Sequence, residues 1–132
     1  MKKVMFCVGL LTSGFVANIS VAEAFSFTFE WGAIPRCTTG NPNTVGSPKF
    51  TLSAVPKGAA TIKFHLRDNN APDFNHGGGT AAYVGKSVIG SGAFKYQSPC
   101  PPDGSHTYLW TATVYDQSGK KLDSATSRKN YP

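Results

Sequence analysis

The chain has 132 residues, a formal charge of +6 and 3 cysteines. That length fits one domain and leaves little room for a second. The positive balance favours anionic ligands or membrane surfaces. Beyond Lys2-Lys3 at the start, the basic residues are scattered singly, with only Lys120-Lys121 and Arg128-Lys129 adjacent, so no stripe follows a phosphate backbone and nucleic acid is excluded as a partner.

In chain order, the first segment has the layout of a secretory leader. Lys2 and Lys3 open it, Val4 to Val16 is almost wholly apolar, and Ala22-Glu23-Ala24 supplies a small-x-small cleavage pattern ahead of Phe25. Residues 1–24 are therefore expected to be a signal peptide and 25–132 a secreted or periplasmic domain. Thr12, Ser13, Asn18 and Ser20 interrupt the apolar run, which falls short of the roughly 20 residues a spanning helix needs, so no transmembrane anchor is expected. Cys7 leaves with the leader. Cys37 and Cys100 remain as an even pair in an oxidising compartment, the composition of a disulfide. Closing the segment between them restricts the unfolded chain by about 4 kcal/mol in the loop-entropy account.

Phe25 to Trp31 alternates apolar and polar, the period of a half-buried strand whose aromatics form core. Residues 32–48 are rich in Gly, Pro, Asn and Thr and read as a long connection held by Cys37. Phe50 and Leu52 restart the alternation, and Thr61 to Arg67 continues it after the turn Pro56-Lys57-Gly58. These two runs are expected to form a hairpin. From Asp68 to Thr80, Pro72 and Gly77-Gly78-Gly79 predict an exposed loop without regular structure. Short strands are expected over Ala81 to Val84 and Lys86 to Ile89, then a rigid loop over Ser98 to Gly104. His106 to Asp116 is the clearest strand, closed by the turn Gln117 to Lys120. With no helical period anywhere, the chain reads as a mainly β sandwich or barrel-like domain.

Strand parity singles out two polar residues. Asp68 shares the inward side of Ile62, Phe64 and Leu66, and His106 leads the inward series Tyr108, Trp110, Ala112 and Val114. Both stand where a core face meets a loop, the place where clefts of β domains open. Residue types alone leave two accounts open: a turn carboxylate bonding its own backbone in Asp68-Asn69-Asn70 and a structural histidine with one partner, or a shared site.

Asp68-Asn69-Asn70-Ala71-Pro72 resembles the Asp-Pro-Asp-x-Pro motif of the phosphatidylethanolamine-binding protein (PEBP) family. Ser98-Pro99-Cys100-Pro101-Pro102-Asp103-Gly104-Ser105-His106-Thr107-Tyr108 is similar to that family's Gly-Pro-x-Pro-Pro-x-Gly-x-His-Arg-Tyr, matching six of its eight specified positions. Ser47-Pro48 and Val55 to Gly58 resemble the family's lead-in, so the likeness runs in order from Ser47 to Asp116. It implies an antiparallel β-sandwich in the manner of the small bacterial members, with an end pocket for anions such as phosphate groups. Asp68 would be the pocket's acid, His106 and Tyr108 its basic and hydroxyl groups, Pro101 and Pro102 its wall. Tyr96 takes the place of the aromatic ahead of the second motif, and His76 that of the family's other histidine. Some relatives act by blocking kinases or proteases, which would make a protein a second kind of partner. Asn69, Asn70, Ser98 and Thr107 depart from the pattern and imply different selectivity.

Other chemistries lack their residues. His65 faces outward by parity and no histidine pair has zinc spacing, and the twelve-residue calcium loop is absent around Asp68, Asn70, Asp73 and Asn75, so neither metal nor cofactor is expected. No Gly-x-Ser-x-Gly elbow occurs, so the domain reads as a non-enzymatic binder of a small anionic or phosphate-bearing ligand, a lipid headgroup among the candidates. The alternative is a fibronectin- or immunoglobulin-like adhesion or interaction module, whose late strand Tyr108 to Asp116 also suits. A pocket requires Asp68, His106 and Tyr108 to converge, whereas an adhesion sandwich scatters them.

Overall fold

The computed structural model describes residues 9–18 and 23–132. Of the expected leader, Lys2, Lys3, Cys7 and Ala22 lie outside the described residues. Within it, Leu10, Leu11, Phe15 and Val16 stand in solvent, away from the core. No helix among the described residues is long and apolar enough to cross a membrane.

The alternating segments become strands because each buries one side. β1 (Ser26–Glu30) turns Phe27 and Phe29 inward, β3 (Lys49–Ser53) Phe50 and Leu52, β4 (Ala59–Asp68) Ile62, Phe64 and Leu66, and β8 (His106–Asp116) Tyr108, Trp110, Ala112 and Val114. Shorter strands complete the set: β2 (Thr44–Gly46), β5 (Gly78–Ala82), β6 (Val88–Ile89) and β7 (Lys95–Gln97), with β9 (Lys121–Tyr131) last. All pairing is antiparallel, in a four-stranded sheet ordered β5-β4-β8-β9, a three-stranded sheet β1-β3-β6 and the pair β2-β7. Aromatic rings join the layers. Phe50 stacks on Phe64 at 4.0 Å between centroids, and Phe27 and Trp110 meet these rings edge-on. Such contacts add to the burial of large apolar area. The result is a mainly β sandwich with the expected Cys37–Cys100 disulfide, its Cα atoms 4.5 Å apart.

Three local expectations are corrected. The run of Phe50 and Leu52 does not form a hairpin with Thr61 to Arg67; β3 hydrogen-bonds to β1 and β6 and meets β4 ring to ring, in opposite layers. Gly77-Gly78-Gly79 is not all loop, since Gly78 and Gly79 pair with His65 and Phe64 inside β5. A Cβ on Gly78 would run into the Phe64 carbonyl, and one on Gly79 would meet the Phe94 ring at 2.5 Å, so glycine here answers close approach. The strand expected over Ala81 to Val84 is shifted upstream into β5, and that expected over Lys86 to Ile89 is shortened to β6. A further strand, β9, which no expectation covered, pairs with nearly all of β8, although its sequence carries little apolar alternation.

Candidate functional site

Register brings the site together. β4 and β8 pair with Asp68 opposite Tyr108 and Arg67 opposite Leu109. His106 lies two residues before Tyr108 on the same inward side, so Asp68 and His106 are diagonal neighbours across the pair, a separation that long side chains bridge. The ladder continues just past Asp68. The Asn69 N–H donates to the Thr107 carbonyl and the Thr107 N–H to Oδ1 of Asn70, both at 2.8 Å.

The two accounts of Asp68 both hold, one for each oxygen. Oδ1 accepts the backbone N–H groups of Asn70 at 2.8 Å and Ala71 at 3.2 Å, closing the turn. Oδ2 accepts from Nδ1 of His106 at 2.6 Å. On the other side of the ring, Nε2 donates to Oδ1 of Asp103 at 2.8 Å. Ionised carboxylates only accept, so a ring bonded to two of them carries a proton on each nitrogen and is an imidazolium. Burial raises the Asp68 carboxyl, but the His106 hydrogen bond, the Asn70 amide, the imidazolium charge and the Ala71 amide together hold it below its ordinary value. The bond to Asp68 raises His106 against the opposing effect of burial, and Asp103 adds to the rise.

His76 is held differently. Nδ1 donates to the Gln97 carbonyl at 2.8 Å, and the Gln97 N–H returns a bond to the His76 carbonyl. Burial lowers its pKa, the carbonyl opposing. A proton on Nδ1 makes that bond, and in the neutral form that burial favours Nε2 is left as an acceptor. The Tyr108 side chain is fully buried, and its hydroxyl has no hydrogen-bond partner among the described residues. Burial and the charge of Asp68 both push that phenol upward, so it stays protonated.

These groups line a single cavity of about 200 Å³. Of the residues picked from sequence, Asp68, His76, Pro101, Pro102, His106 and Tyr108 lie on it. Tyr96 does not; it is buried against Trp110, with ring centroids 5.0 Å apart. The disulfide sets one wall through Cys100, and the Gly40 N–H donates to the Cys100 carbonyl at 3.1 Å. That bond brings Gly40 and Pro42 of the long connection to the rim. Sequence reasoning passed over Phe74, which lines the cavity, and Asp103, which bonds His106 at its edge. Asp103 did leave a signal, as a carboxylate three residues before a histidine across a Pro-Asp-Gly turn. The arrangement supplies a fixed positive ring, a neutral acceptor and an unpaired hydroxyl within mostly apolar walls.

No family model and no curated protein sequence matches the chain. Solved structures similar to it include two relatives. The PEBP homologue CT736 of Chlamydia trachomatis is 19% identical with a TM-score of 0.60, over 83% of this chain and 97% of that one. E. coli YbcL, a member of the mammalian PEBP family, is 16% identical with a TM-score of 0.59, over 83% of this chain and 98% of that one. The alternative of a fibronectin- or immunoglobulin-like sandwich is set aside by this likeness. The chain has the fold of the phosphatidylethanolamine-binding proteins.

Proposed function

We propose that this is an exported, non-enzymatic binding domain whose cavity takes a small oxyanion, a phosphate group or a phosphate-bearing headgroup. The observation that carries the reading is the His106 ring. Asp68 fixes its charge and orientation from Nδ1, and Nε2 at the rim already donates to a carboxylate oxygen, so the donor is aimed where an oxyanion would sit. The unpaired Tyr108 hydroxyl is a second group wanting a partner. Size limits the ligand. A cavity of about 200 Å³ lies below the roughly 300–1,000 Å³ of sites for drug-sized molecules, so it suits a headgroup and not a whole lipid. The solvent-exposed apolar residues at Leu10, Leu11, Phe15 and Val16 are consistent with a leader that export removes.

Inorganic phosphate tests the reading. Titrating it to millimolar levels into the oxidised domain is expected to shift the His106 imidazole resonances in NMR spectra and to raise the unfolding temperature, because a ligand that binds only the folded state stabilises it. Unmoved His106 resonances together with an unchanged unfolding temperature refute an anion site.

A further inference from the structure

The imidazole nitrogen that a bound oxyanion would use is already occupied by the chain itself. Resting on the reading of this cavity as an anion site, we propose that Asp103 is a resident competitor for the anion position on His106, displaced whenever ligand binds and thereby setting the affinity of the site.

The two carboxylates on His106 are unequal. Asp68 is 3% exposed, bonds three donors and cannot leave without stranding them. The Asp103 side chain is 78% exposed and has no other polar partner among the described residues. An exposed pair is screened and worth little, so a rotation about the Asp103 side chain opens Nε2 cheaply. The loop tolerates such a change. Pro102, Asp103, Gly104 and Ser105 are all exposed, and Gly104, at φ +97°, has open space where a Cβ would stand. Charge gives the competition its effect. One imidazolium between two carboxylates leaves one uncompensated negative charge, which repels an incoming anion until Asp103 swings away. Burial of His76, on the cavity wall, disfavours its charged form, so it offsets that charge less than an exposed histidine would.

Asp103→Asn removes the competing charge and keeps the side-chain volume. The experiment measures the dissociation constant of inorganic phosphate from the His106 resonances, at pH 6, where Asp68 keeps the ring protonated. It compares the disulfide-intact wild type with Asp103→Asn and with Ser105→Ala. The Ser105 hydroxyl bonds the Pro132 carbonyl and does not touch His106. Phosphate is expected to bind roughly three- to ten-fold tighter to Asp103→Asn, with Ser105→Ala unchanged and all three chains equally folded by urea titration. Equal or weaker binding to Asp103→Asn, or the same gain in Ser105→Ala, overturns the competitor while leaving the anion site standing. Absence of any phosphate response in both wild type and Asp103→Asn overturns the anion site and the competitor with it.

Discussion

Replacing Asp68 by asparagine separates its two roles. The amide oxygen of asparagine can still accept the Asn70 and Ala71 N–H groups that Oδ1 accepts now. Its NH₂ group then faces Nδ1 of His106, donor against donor, and the ring must give up that proton and its charge. Removing one partner of a buried ion pair costs about 3–5 kcal/mol. His106 lies at the rim and retains Asp103, so we place the loss below that range, at about 2–3 kcal/mol near pH 5–6, as for a hydrogen bond between charged groups. At about 4–8 °C per kcal/mol for a domain of this size, the unfolding temperature falls by roughly 10–20 °C. The pH profile carries the stronger test. His106 is raised above its ordinary 6.5, so its contribution is complete below that pH and is lost as pH rises through the higher folded value. Asp68 is depressed below 3.8, so its contribution is present above that pH and is lost as pH falls through the folded value. The gap between wild type and Asp68→Asn is thus widest near pH 5–6 and narrows towards alkaline pH. Thermal unfolding from pH 5 to 9 with the disulfide intact measures it, and NMR titration should show His106 losing its proton at lower pH in the variant. A gap that stays constant across that range, or an unchanged His106 titration, refutes the coupling.

Three further predictions concern what holds the site in place. Cys100→Ser removes the cross-link to Cys37 and should cost about 4 kcal/mol of stability to urea; a loss under 1 kcal/mol would show that the unfolded chain gains little freedom. Gly78→Ala forces a Cβ onto the Phe64 carbonyl, whereas Gly77→Ala meets nothing within 4 Å and bears only the strain of φ +75°. The first should cost about 3 kcal/mol or more and the second about 1 kcal/mol, an order that equal losses would contradict. Asn70→Ala deletes the acceptor of the Thr107 N–H and should destabilise by about 1 kcal/mol. Hydrogen exchange at the Thr107 amide should quicken, and an unchanged rate would mean the bond is not maintained in solution.

The inward residues were readable because alternation with period two is a direct record of burial. Asp68 and His106 interrupt apolar series at strand ends, and each series names the face it belongs to. What crosses between strands was less readable. Phe50 and Phe64 are neighbours in sequence order, which suggested side-by-side pairing, yet their rings meet face to face between layers. Both arrangements bury the same side chains, so alternation cannot tell them apart. The glycines failed for a related reason: a triplet that lets a backbone pass close to Phe64 and Phe94 has the same composition as one that makes a loop. β9 is an edge strand whose partner supplies most of the burial, so Leu122, Ala125 and Tyr131 were too sparse to mark it. Only the turn at Gln117 to Lys120 announced it.

The site depends on register more than on any one of its side chains. Slipping β8 by one residue against β4 would carry His106 and Tyr108 to the outer face and separate both from Asp68. The core residues Trp110 and Phe64 oppose such a slip along the middle of the pair. At the end where the cavity opens, that restraint comes from Asn69 and Asn70, whose bonds to Thr107 extend the ladder beyond Asp68. Asn69 and Asn70 stand at positions where the sequence departs from the family motifs, Asn69 giving the N–H that a proline lacks and Asn70 a side-chain oxygen, while Thr107 takes part through its backbone alone. Their exchanged bonds give those departures a physical role: they fix the strand ends whose registry sets the distance between the carboxylate and the imidazole.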